Sequence, residues 1–170
     1  MSPEPHDLAM VPIELGRLVL RDHSVSAPQY IYLREVDGNR SFPIIIGYPE
    51  AVEIQRVVTN AETERPMTHA LMHDAITQLG AKLAYVDIVD VRQNTFYAKL
   101  VLHNEAGEEV AVLDGRPSDS IALALRAKCP LRVAESVLDT VRTDDAKDAM
   151  PPGEEEEPPA PDTKPEAPDF

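Results

Sequence analysis

From residue 95 to 103, apolar and polar side chains alternate, apart from Val101. Phe96, Ala98, Leu100 and Leu102 fall on one side, and Thr95, Tyr97, Lys99 and His103 on the other. A period of two marks a strand with one buried face, which needs paired neighbours and a covering layer. Turn residues bound it on both sides, Gln93-Asn94 before and Glu105-Ala106-Gly107 after. Segments 83–91 and 109–113 therefore read as its antiparallel neighbours in a three-stranded meander. Segment 83–91 is apolar on both faces apart from Asp87 and Asp90, which suits a central strand. Three residues apart on a regular strand, those two carboxylates are expected on opposite faces.

The N-terminal part carries three more strand patterns, 11–21, 29–36 and 41–46, the last two joined by the hairpin signal Asp37-Gly38-Asn39. Pro49 suits the first turn of a helix with Ala51, Ile54, Val57 and Val58 on one face. After the polar stretch 60–64, a second helix is expected to open at Arg65-Pro66. Its apolar stripe is Leu71, Met72, Ala75, Ile76 and Leu79, and Gly80 ends it. A third helix over 117–128, a short strand at 131–133 and a helical turn near 135–138 complete the pattern. Runs of antiparallel strands interrupted by helices predict an α+β fold. We expect one compact domain over 1–139, with a mixed, mainly antiparallel twisted sheet and three to four helices.

Charge separates the rest of the chain. From residue 140 to 170 there are ten acids against three bases, together with seven of the sixteen prolines, and no aliphatic residue larger than Ala follows Met150. Such a segment cannot bury enough surface to offset its ordering entropy, so 140–170 reads as a disordered acidic, Pro-rich tail. The whole chain carries a net charge of −14, so a broadly basic nucleic-acid-binding surface is excluded. No apolar run reaches the roughly 18–20 residues of a membrane span, and the N-terminus lacks an apolar signal segment, which predicts a cytoplasmic protein without a membrane partner. With Cys129 alone, neither an internal disulfide nor a Cys-rich zinc site can form.

Two helix openings share a device, Arg65-Pro66-Met67-Thr68-His69 and Arg116-Pro117-Ser118-Asp119-Ser120. Free amides at a helix start attract anions, and a nearby guanidinium adds a two-pronged phosphate partner. If the two starts converge, they form an electropositive pocket with Arg65, Arg116, Thr68 and Ser118 as phosphate-binding candidates. Ordinary capping by Thr68 or Asp119 is the competing explanation. His69 and His73, four apart, share a helix flank and could share a metal. Asp114 and Asp119 flank the second Arg-Pro and could hold Mg²⁺ or Mn²⁺ for phosphodiester hydrolysis, or serve as a strand-end turn and a cap, or form an ion pair with Arg116.

Four segments in order then resemble the bifunctional nuclease domain family. They are Phe42-Pro43-Ile44-Ile45-Ile46-Gly47 with Glu50-Ala51; Arg65-Pro66-x-Thr68-His69-x-Leu71; Asn94-Thr95-Phe96-Tyr97-Ala98-x-Leu100; and Asp114-x-Arg116-Pro117-Ser118-Asp119-x-Ile121-Ala122-Leu123-Ala124. The resemblance covers about 11–138. It implies a compact α+β domain assembled as a homodimer or higher homo-oligomer, with nuclease activity on RNA and DNA. On that reading Arg65 and Arg116 bind phosphate, Glu50, Asp114 and Asp119 hold the metal, and His69 is general acid or base, with Asp114 and Asp119 as catalytic partners. The family commonly has Asp after the Thr-His pair, where this chain has Ala70. The alternative is a non-enzymatic oligomeric module that binds a small anionic ligand or a protein partner.

Overall fold

Local signals place most element boundaries. The computed structural model describes residues 9–21 and 27–142. Strands β1 (Met10–Val19), β2 (Gln29–Glu35) and β3 (Ser41–Ile46) lead to helices α1 (Tyr48–Val58) and α2 (Thr68–Gln78). Then come β4 (Ala81–Arg92), β5 (Thr95–Asn104), β6 (Glu109–Gly115), α3 (Pro117–Ala127), β7 (Leu131–Ala134) and α4 (Glu135–Val141). The turn at Gln93-Asn94 puts both residues at positive φ, 48° and 60°, the two-residue hairpin geometry that Asn accommodates. Gly80, at φ 76°, follows α2 and donates its N–H to Thr77.

Seven strands form one sheet in the order β3-β2-β1-β7-β4-β5-β6. Two antiparallel meanders, β1–β3 and β4–β6, are stitched together by β7, which runs antiparallel to β1 and parallel to β4. The fold is thus α+β, with four helices on a mostly antiparallel open sheet. Alternate residues of the strands (Ile31, Leu33, Val86, Ile88, Ala98, Leu100, Val133) join Ile54, Ile121, Leu123 and Leu138 of the helices in one core cluster. The sheet curls strongly. Phe42 on β3 and Phe96 on β5 stack with ring centroids 5.8 Å apart, although five strand spacings of ~4.8 Å would part them in a flat sheet.

Several sequence expectations change. The second helix starts at Thr68, not at Arg65-Pro66, and none of its residues is buried. Leu71, Met72 and Leu79 stand exposed, and Ile76 packs partly on the core, because α2 lies against α3 and β4 at the rim of the core. On α1, Ala51 and Ile54 are buried as expected, but Val58 at the last position is exposed and Glu53 is buried in its place. Asp87 and Asp90 share a face. A one-residue bulge between Ile88 and Asp90 pairs Asp87 with Lys99 and Asp90 with Tyr97, and an extra residue inverts the alternation beyond it. Asp87, 7% exposed, receives Arg132 in two bonds of 2.6 and 2.7 Å, with that guanidinium 4.0 Å over Tyr85. Helix α4 continues to Val141, two residues past the expected boundary at 139, and Val141 packs against the core. From residue 143 onward the expected acidic tail lies outside the described residues.

Candidate functional site

The starts of α1, α2 and α3 converge on a groove of about 840 Å³ at the β6 side of the sheet. Sequence places a proline at the start of both α1 and α3, with Gly47 and Arg116 as the extended residues that precede each first turn. Ser120, wholly buried, donates its hydroxyl to the Arg116 carbonyl at 2.9 Å. This fixes the first turn of α3 and with it the direction of the Arg116 side chain.

Four predicted site residues make one hydrogen-bonded cluster. The His69 imidazole lies with Nε2 3.0 Å from Asp119 Oδ1. Arg116 donates from Nε to Asp119 Oδ2 at 2.7 Å and from a terminal nitrogen to Oδ1 at 3.2 Å. The same guanidinium reaches Glu50 Oε1 at 2.9 Å. Burial pushes the Asp119 carboxyl up, but the bonds from Arg116 and His69 outweigh it and hold the group below the usual carboxylate range. Asp119 is therefore ionised at neutral pH and accepts only. It follows that His69 Nε2 carries a proton toward Asp119, and in the neutral tautomer that this bond selects the lone pair is on Nδ1. The His69 side chain is 16% exposed and that of Arg116 67%, so the guanidinium is the accessible member.

Of the other candidates, Thr68 and Asp114 border the groove, but Asp114 is drawn to Lys99 Nζ at 3.3 Å across β5 and β6. Arg65 lies two residues ahead of Met67, the residue that precedes α2, and does not border the groove; Ser118 faces a separate cavity. His73 Nδ1 lies 3.9 Å from Asp74 Oδ1. Neither α2 nor α3 has a side-chain cap, so the capping explanation for Thr68 and Asp119 fails. The expected electropositive pocket is also corrected. Four carboxylates (Glu50, Glu53, Asp114, Asp119) face two guanidiniums (Arg56, Arg116) on the groove wall.

A metal held by Glu50, Asp114 and Asp119 does not fit this arrangement. Arg116 bridges Glu50 and Asp119, Asp114 is tied elsewhere, and among the described residues no three His, Cys, Asp or Glu are grouped to hold an ion. Sequence reasoning missed Glu53, which is buried on α1 and ion-paired to Arg126 at 2.8 Å and to Arg56 at 3.7 Å. Its three-residue spacing from Glu50 was the available signal. The apolar wall of Met67, Met72 and Leu113 was also missed, since Met72 on α2 reads as core and Met67 and Leu113 come from the residue before α2 and from β6.

Fold and site together define an α+β domain whose groove presents an acid–imidazole–guanidinium cluster at converging helix starts. The chain belongs to the bifunctional nuclease domain family, whose pattern matches residues 31–146. It is 43% identical over 108 residues to an uncharacterized protein of Mycobacterium tuberculosis, covering 64% of this chain and 63% of that one. It is 33% identical over 116 residues to Bifunctional nuclease 2 of Oryza sativa subsp. japonica, and 30% identical over 119 residues to Bifunctional nuclease 1 of the same plant. These matches cover 66% and 68% of this chain. The chain spans 63% of the length of the mycobacterial relative and 35% of each plant relative. No helix among the described residues is long and apolar enough to cross a membrane.

Proposed function

We propose that this protein is a nuclease that hydrolyses phosphodiester bonds of RNA and DNA in the groove between α1, α2 and α3. The observation that carries the reading is the His69–Asp119–Arg116 cluster, supported by relatives named as nucleases. Asp119 orients the imidazole and fixes its tautomer, so Nδ1 is the position that can take a proton from an attacking water. A DNA substrate has no 2′-hydroxyl, so water is the nucleophile common to both substrates. Arg116 presents further donors to the charge that develops on the phosphate oxygens. Met67, Met72 and Leu113 offer an apolar wall for a base. No step is assigned to Mg²⁺ or Mn²⁺, because either ion would have to displace Arg116 from Glu50 and Asp119.

The test is cleavage of fluorescent RNA and DNA oligonucleotides by wild type and His69→Ala, each with Mg²⁺, with Mn²⁺ and with EDTA. Wild-type cleavage that falls at least a hundredfold in His69→Ala, with an unchanged melt, supports the reading. Cleavage that needs the ion would mean that Arg116 yields to it. Absence of cleavage under all three conditions would sink the nuclease assignment, and Ala70→Asp would then be the first variant to restore it. The excess of acids on the groove wall works against a polymer with many phosphates, so the exposed Arg116 guanidinium favours one other reading, a module that binds a small anionic ligand. Binding to such a ligand has a shallow salt dependence, whereas a polymer making several phosphate contacts has a steep one.

A further inference from the structure

On the far side of Arg116 from the groove lies a second cavity of about 300 Å³, at the small end of the range for ligand pockets. Arg116 and Glu50 border both spaces. Three segments far apart in sequence meet here, namely the end of β3 with Gly47, the β4–β5 turn with Asn94 and Thr95, and the start of α3 with Ser118.

Ser118 is 7% exposed. Its hydroxyl makes no hydrogen bond among the described residues, yet it is not sealed from solvent. Ser120, one half-turn on, behaves as a buried helical serine should and bonds back to the Arg116 carbonyl. Backbone donors are in surplus at the same place. Ser120 N–H is the first in α3 to find an intrahelical acceptor, and no side chain caps the amides of Ser118 and Asp119. Helix α1 opens on the same cavity from Gly47, likewise without a side-chain cap. Two uncapped helix starts, a nearly buried free hydroxyl, the Asn94 amide and a guanidinium make a set of donors whose matching ligand is a tetrahedral oxyanion. Glu50 is the one carboxylate on this wall, and it is already bound by Arg116.

We propose that this cavity is a phosphate subsite. It takes a phosphate group of the substrate next to the bond cleaved in the groove, either a terminal monoester or a neighbouring diester. Its position relative to the cleaved bond rests on the nuclease reading, whereas phosphate binding itself does not.

The experiment is calorimetric titration of the full chain with inorganic phosphate, then anisotropy with oligonucleotides bearing a 5′-phosphate, a 3′-phosphate or neither. Ser118→Ala loses no intramolecular hydrogen bond and Asn94→Gly keeps the positive-φ turn, so both variants should melt with wild type. Wild type binds phosphate at millimolar concentration, and Ser118→Ala weakens it about tenfold, as expected for one bond to a charged group. A preference for one phosphorylated end that disappears in Ser118→Ala identifies the terminal monoester. Equal weakening for all three oligonucleotides identifies the neighbouring diester. Phosphate binding that neither variant changes, or no phosphate binding at millimolar concentration, overturns the proposal. Because these are binding measurements, a protein that binds phosphate here and cleaves nothing keeps the subsite and loses the nuclease reading.

Discussion

His69 Nε2 lies 3.0 Å from Asp119 Oδ1, joining the first turns of two helices across fifty residues of sequence. Neither side chain caps its own helix. Each is committed to the other, and Asp119 is also held by two bonds from Arg116. The cluster therefore joins the packing of α2 on α3 to the geometry of the candidate site.

Asp119→Asn separates charge from shape. The folded carboxyl lies below its ordinary value, so its stabilisation is complete above the unfolded pKa of about 4 and is lost as pH falls through the lower folded value. Wild type should be more stable than Asp119→Asn at pH 7, and the gap should close below about pH 4. Urea unfolding over that range checks it; a gap independent of pH would show that the charge is not what stabilises.

Arg116→Lys keeps a positive charge and discards the planar fork that spans Asp119 and Glu50. Cleavage should fall at least tenfold in kcat/KM, because a lysine cannot bridge both carboxylates and still present fixed donors to phosphate. The melting temperature should move little, since the side chain is largely exposed. Steady-state kinetics beside a thermal melt measures both.

Gly115→Ala should destabilise the fold by roughly 1–3 kcal/mol. A Cβ at this position would sit 2.7 Å from Leu100 Cδ1 and 2.8 Å from Ser120 Oγ. Ser120 fixes the carbonyl of Arg116, so the same substitution should lower activity by turning the guanidinium. Denaturant titration and the cleavage assay would report the two together.

Self-association is expected through β6, an edge strand that exposes Val110, Val112 and Leu113. An apolar open edge is a template for pairing with another chain. Light scattering should return a dimer or larger at tens of micromolar, and Val112→Lys should return the monomer. A monomer mass for wild type would refute this expectation.

Sequence alone determined the features set by near neighbours. The alternation from 95 to 103, the turn residues Gln93-Asn94 and Gly80, and the prolines at the starts of α1 and α3 each restrict a few adjacent dihedrals, so their outcome does not depend on the rest of the chain. Tertiary structure decided what depends on distant surfaces. A four-residue strand such as β7 carries no record of its partners, and its place between the two meanders follows from where α3 returns the chain. One extra residue near Val89 moved Asp90 to the face of Asp87, a choice visible only in the register with β5. The apolar stripe of α2 was legible as a helix but not as exposed, since burial depends on where the core ends. The union of His69 with Asp119, and the exclusion of Arg65 from it, came from the packing of α2 against α3 and the curl of the sheet that brings Phe42 to Phe96. Contacts of that kind are fixed by how layers close over a shared core, and no local pattern encodes them.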